Sequence, residues 1–381
     1  MSIFSVNNKI ELLKNGVVIY QATHEPELKD DIYCERSYCS PDSKYFVYQR
    51  HLPGDSPVWK TNAEIVACEF GTWEKRVLAL GHSYPEVSQQ GNLFYIRPAV
   101  GGGRQLAKVA MDSGKEEEID VEGGVRPYTG MTISPCEGFL AYGIPVSFGP
   151  QMFGVEVVDL STGKKEVVCQ DPFICNPHTQ YDQLDGSEIM VQHNRGCEFD
   201  EEGNNLANIG PEGCTLFTVN QKSRERTPLL VGPPHTNGCT GHQQWIGKTR
   251  EILLSITGSY NDGNREGNLL AAYPGEEPRV VTELTGFSHV HASLCGRFFC
   301  SDVARRNEIY VGSLKTGKHA LLCEFGPDPK DAYKLFGQSS HSHPYLSPDL
   351  KWAVFNSCRT GCPEIHVASV PEGMLEDLDE E

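Results

Sequence analysis

One short phrase recurs along the 381 residues of the chain: a polar residue, a few alternating residues, a turn of the Ser-Pro-Asp-Gly kind, then an apolar strand. Copies begin at Arg36, Tyr84, Gly130, His178, His242, His289 and His343. Each turn leads into a strand candidate, such as Tyr45–Tyr48, Leu93–Ile96, Phe139–Tyr142 or Trp352–Phe355. A second hairpin follows, for example Val155–Leu160, a turn at Ser161–Lys164, then Glu166–Val168. The 38 Gly and 24 Pro fall in short clusters at regular intervals, as turn punctuation does in an all-β chain. Four strands in a unit of roughly 45 to 60 residues, repeated about seven times, specify a β-propeller. The run Lys9–Leu13 with Gly16–Tyr20 precedes the first full unit, and the last unit stops near Val370, short of a fourth strand. The expected fold is therefore all-β, a seven-bladed propeller closed by the N-terminal segment. It occupies residues 1–375 as one domain, and residues 376–381 form an acidic, disordered tail.

Charge narrows the partners. A formal net charge of −18 argues against nucleic acid, because neutralising phosphates needs a basic face. An anionic substrate then requires positive charge supplied locally. Met1–Asn7 lacks the basic and apolar regions of a secretory signal, and no apolar run approaches the ~20 residues of a membrane span. The 14 Cys are scattered through strand-like segments at spacings unlike a zinc ribbon. They read as reduced, mostly buried thiols of a cytoplasmic protein with no membrane contact.

The repeat register carries the chemistry. Units four to seven each place a histidine at the same position, His178, His242, His289 and His343, although the chain has only 13 His. The innermost strand of a blade lines the central channel, so equivalent residues form a ring at one mouth. His341 lies two positions before His343; Gln180, Gln244 and His291 lie two positions after the earlier histidines, and Gln338 is close by. Clustered His with a Gln and no Cys suits a borderline or hard divalent ion, or acid/base work.

Gln338-Ser339-Ser340-His341-Ser342-His343-Pro344 resembles the metal-binding signature of the oligogalacturonate lyases, polysaccharide lyases with a seven-bladed propeller. The resemblance implies Mn2+ held by His289, Gln338, His341 and His343, with His291 as the rival for His289. It implies that His242, in Thr240-Gly241-His242-Gln243-Gln244-Trp245, is catalytic. His193-Asn194-Arg195-Gly196 is similar to a second family motif. The family's catalytic arginine, however, belongs at the start of a strand that here reads Gly213-Cys214-Thr215-Leu216-Phe217. Arg195 is the candidate for the same space. His178, His193, Gln180, Arg36 and Tyr84 are the expected substrate contacts. The implied reaction is β-elimination on a short, acidic uronate oligosaccharide, giving a 4,5-unsaturated uronate. Two other readings stand beside it: a non-catalytic propeller of the TolB type that binds a protein partner, and a metal-dependent lyase or epimerase for another uronic acid.

Overall fold

The computed structural model describes residues 8–52, 62–82, 85–99, 103–327 and 341–381. Tyr84 and Gln338 lie outside the described residues. Seven antiparallel sheets follow one another in chain order, and six of them are four-stranded meanders. Their innermost strands are Lys29–Asp30, Glu86–Val87, Met131–Ile133, Gln180–Tyr181, Cys239–Trp245 and Val290–Ala292 for blades 1 to 6, and Tyr345–Leu346 for blade 7. Among the described residues no helix is long and apolar enough to cross a membrane.

The repeated serine earns its place through the turn it stabilises. Ser40 Oγ accepts from the amides of Lys44 (3.1 Å) and Tyr45 (2.9 Å). Ser88, Ser134, Ser293 and Ser347 hold Asn92, Phe139, Phe298 and Trp352 in the same way, at 3.0 to 3.1 Å. In blade 4 Asp182 substitutes, accepting from Glu188 N at 2.8 Å. A side-chain oxygen thus satisfies the first donors of the following strand and fixes its register.

Blade 7 is completed by the other end of the chain. Val18–Gln21 pairs with Glu364–Ser369, with Ile19 opposite Ala368 and Tyr20 opposite Val367, and Lys9–Leu12 adds a fifth strand. Val17 and Ile19 are fully buried against Phe298, Ile309, Phe355 and Ala368 of blades 6 and 7. Apolar clusters of this kind fill each junction between neighbouring blades. The N-terminal closure expected from the repeat is present.

Four local features differ from or refine the expectations above. The C-terminal residues are not disordered: Met374–Asp379 is a short helix with Leu375 buried. Asp379 takes Arg297 (2.7 Å) and Ser313 (2.6 Å), and Lys318 Nζ donates to the Glu380 carbonyl at 2.6 Å, so blade 6 anchors the tail. The segment after Cys197 forms the hairpin Glu198–Phe199 with Asn205–Ala207. All 14 cysteines are free, and all but Cys136, Cys295 and Cys362 are buried.

The fourth feature shapes the channel. In blade 1, Asp30 pairs with Gln49, whereas Tyr38 O accepts from Val47 N. The innermost strand therefore leaves its partner between those points, and residues 31–37 form an excursion, with Ile32 at φ 81°. Its side chains meet histidines of blades 4 and 5, across the ring, and of the neighbouring blade 7.

Candidate active site at the channel mouth

The four register-equivalent histidines sit at one end of the innermost strands. His178 and His343 adopt φ 43° and 39° just before their strands, and His242 sits beside Gly241 (φ 90°) at a register irregularity between Cys239 and Gln243. Left-handed backbone at non-glycine residues is costly and gathers at functional sites. Three blades deliver adjacent imidazoles. The ring centroids of His242 and His289 are 4.2 Å apart, those of His289 and His341 4.8 Å, those of His289 and His343 4.7 Å, and those of His341 and His343 5.9 Å. Tyr33, from the blade 1 excursion, lies against His343 at 4.6 Å, His178 at 5.9 Å and His242 at 6.2 Å.

His289 is oriented from behind. His289 Nδ1 donates to Asp302 at 2.8 Å, and its amide bonds the same carboxylate at 2.9 Å. Ser342 also donates to Asp302, tying the His341–His343 segment to blade 6. Burial pushes the Asp302 carboxyl up, but His289 and these hydrogen bonds outweigh it and hold it low. With Nδ1 bonded to Asp302, Nε2 is the nitrogen of His289 that could take a ligand, as in carboxylate-backed metal histidines. His343 Nδ1 is buried without a hydrogen bond, 3.7 Å from Asp31 Oδ1. Asn356 Nδ2 bonds Asp30, Asp31 and the His341 carbonyl together.

His242 has a different support. Its Nδ1 lies 3.1 Å from Thr240 Oγ1; Thr240 bonds Ser255, whose hydroxyl donates to the Ser288 carbonyl at 2.7 Å. Since the Ser255 proton goes to Ser288 and the Thr240 proton to Ser255, Thr240 accepts from His242 Nδ1–H. That tautomer puts the ring's lone pair on Nε2. Burial, then the neighbouring His289, His178 and His341, hold His242 well below the usual imidazole range, so it is neutral at neutral pH. His178 is pushed the other way. Burial lowers it, but Glu35 Oε1, 2.7 Å from Nδ1, outweighs burial and the net shift is upward.

The donors fit a divalent cation. The rings of His289, His341 and His343 cluster, and the orphaned His343 Nδ1 faces a carboxylate whose Oδ2 also lacks a partner. Asp30, Asp31 and His343 place ligand atoms within 4.8 Å of one another, so carboxylates are within reach of the same centre. Burial, then the adjacent Asp30, raise the Asp31 carboxyl well above its usual range, a cost that a bound cation relieves.

The other expected residues are placed elsewhere. His291 is buried deeper; its Nδ1 bonds the Cys34 carbonyl at 3.1 Å, which separates it from His289 as a ligand. Gln180 donates to Gln243 O at 2.7 Å and accepts from Trp245 Nε1 at 3.0 Å, joining blades 4 and 5. Arg36 forms a buried pair with Glu86 in the channel. His193 bonds Asp171 at 3.1 Å, beside Arg226, and links blade 4 to blade 3. Arg195 donates to the carbonyls of Gly213 (3.0 Å), Pro233 (2.8 Å) and Glu212 (2.5 Å), so its guanidinium clamps loops.

Asp302 and Asn356 were missed by reading the first strands alone, as was Ser255. Each stands nine residues after its unit's turn position (Ser293, Ser347 and Ile246), so the second strands carry a polar register of their own. Tyr33 and Glu35 had no such signal, because the excursion that carries them belongs to no repeat.

No protein-family model matches the chain, and neither does any curated protein sequence. Solved structures do. An oligogalacturonate lyase from Vibrio parahaemolyticus aligns with a TM-score of 0.71 at 18% identity, over 96% of this chain and 97% of that one. An oligogalacturonate lyase in complex with manganese aligns equally well, at 18% identity over 96% of each chain. At that identity the likeness establishes the seven-bladed fold.

Proposed function

We propose that this chain is a metal-dependent lyase that cleaves short uronate oligosaccharides, oligogalacturonate-like, by β-elimination to a 4,5-unsaturated uronate. The observation that carries the reading is the junction of a neutral, Nε2-directed His242 with His289, His341 and His343 at one channel mouth. His289, His341 and His343 would hold the ion, with Gln338 of the same segment as the fourth ligand, and Mn2+ suits this N/O set. A bound divalent ion supplies Lewis-acid charge at the C6 carboxylate, which acidifies the proton at C5. It also answers how a chain of net charge −18 accepts an anionic sugar. His242 Nε2 removes the C5 proton, and Thr240 keeps the required tautomer by accepting from Nδ1. The Tyr33 ring packs against His343 and His242 and holds their orientation. The free cysteines suit a reducing, cytoplasmic setting.

The test is ultraviolet absorbance of the unsaturated product across a panel of uronate oligosaccharides, with His242→Ala alongside the wild type. The expected result is product from at least one uronate and loss of about 100-fold or more in His242→Ala at unchanged metal content. Full activity in that variant would refute the base assignment.

A further inference from the structure

β-Elimination needs a second proton transfer. As the C5–H electrons form the C4=C5 double bond, the C4–O4 bond breaks with its electron pair on O4, and that oxygen must receive a proton. A group beside the base, on the side away from the carboxylate end, has to carry it. Around this ring the order is fixed by the blades: His341 and His343 from blade 7, His289 from blade 6, His242 from blade 5, His178 from blade 4. A sugar with C6 at blades 6 and 7 and C5 at His242 extends C4 and its oxygen toward blade 4. There the chain offers no arginine side chain at the start of the Cys214–Asn220 strand, and Arg195 is engaged with three carbonyls.

We infer that His178, held by Glu35 of the blade 1 excursion, is the general acid that protonates the leaving O4, with Glu35 as its positioning residue. This rests on the lyase reading above. Glu35 is nine-tenths buried, and its carboxylate accepts from His178 Nδ1–H at 2.7 Å, which fixes the ring and leaves Nε2–H directed to the mouth. Asn176 Nδ2 lies 2.9 Å from Nε2; against the Nε2–H of the imidazolium this exposed amide turns its Oδ1 to accept, and a substrate oxygen takes the same position. The groups facing His178 are Glu35 from blade 1, Cys214 of its own blade, the Tyr33 ring, and His242 from blade 5. Glu35 is the group hydrogen-bonded to the ring, and it favours the imidazolium more than Cys214 does. After O4 takes the Nε2 proton, His178 is neutral and His242 carries the C5 proton; exchange with water resets both.

The two proton transfers separate in D2O. The holoenzyme and its His178→Gln variant are incubated with a uronate oligosaccharide that the wild type cleaves, and recovered substrate is analysed for deuterium at C5. His178→Gln is expected to cleave at least about 100-fold more slowly while still exchanging C5–H, because His242 is intact. Cleavage near the wild-type rate would overturn the acid role. So would loss of cleavage and exchange together in a variant that retains its melting temperature and metal content. Glu35→Gln is expected to lower the titration midpoint of the His178 ring, followed by NMR, and to move the alkaline limb of the kcat/KM profile to lower pH; an unmoved midpoint would refute the pair. If the wild type itself yields no unsaturated product from any uronate, the lyase reading falls, whereas failure confined to the variants removes only the acid assignment.

Discussion

Asp302 shows how much of the site is decided one residue behind the histidines. It is fully buried, takes both the Nδ1–H and the amide of His289, and holds Ser342 from the neighbouring blade. An apolar or amide replacement leaves His289 in place but frees its ring to rotate and lowers its basicity. Asp302→Asn is therefore expected to weaken metal affinity by roughly 10–100-fold, the range for residues that back a metal-bound imidazole, as measured by competition with a chromophoric chelator. Affinity equal to the wild type's would show that His289 is not a ligand. The histidines themselves were legible because the repeat counts out their positions, and four consecutive matches in register point to convergence. Arg195 and His193 were drawn from a local motif alone, and their side chains answer to loop carbonyls and to Asp171, partners that spacing does not reveal.

The elements divide into those the repeat predicts and those that interrupt it. The closing strand belongs to the first kind: blade 7 lacks an outer strand in the sequence, and Val18–Gln21 supplies it. Ile19 is fully buried there at the seam between the two ends of the chain. Ile19→Ala is expected to cost about 2–5 kcal/mol of folding free energy, read from urea unfolding. A cost under about 0.5 kcal/mol would mean that the ring is held without its closure. Residues 31–37 are of the second kind. A seven-residue departure from a strand has no periodicity of its own, yet it carries Tyr33 and Glu35 to histidines of blades 4, 5 and 7. The C-terminal helix departs from the expected disorder for a related reason. Its run of acidic residues signals disorder only when no basic surface is near, and Arg297 and Lys318 of blade 6 provide one.

At the scale of the molecule, the propeller pins neutral histidines inside its blades and channel. Burial lowers His51 and His291 from 6.5 to about 4 each. In the unfolded chain these groups take up protons below about 6.5, while in the folded state they do so only near 4. Their contribution is therefore fully present above pH 6.5 and lost as pH falls from 6.5 to about 4, by about 3 kcal/mol each over that window. The urea midpoint is expected to fall steadily across it, and a flat profile from pH 7 to 4.5 would contradict the burial of these rings. The same closed ring fixes blades 4 to 7 as neighbours, which turns four register positions into one site. The most direct measurement of that claim is metal content together with product formation on one sample: purified protein, its chelated form and the chelated form resupplied with Mn2+, each assayed for ultraviolet absorbance on uronate oligosaccharides. One divalent ion per chain, activity abolished by the chelator and restored by Mn2+ is the predicted result; unsaturated product formed at the full rate by metal-free protein would contradict it.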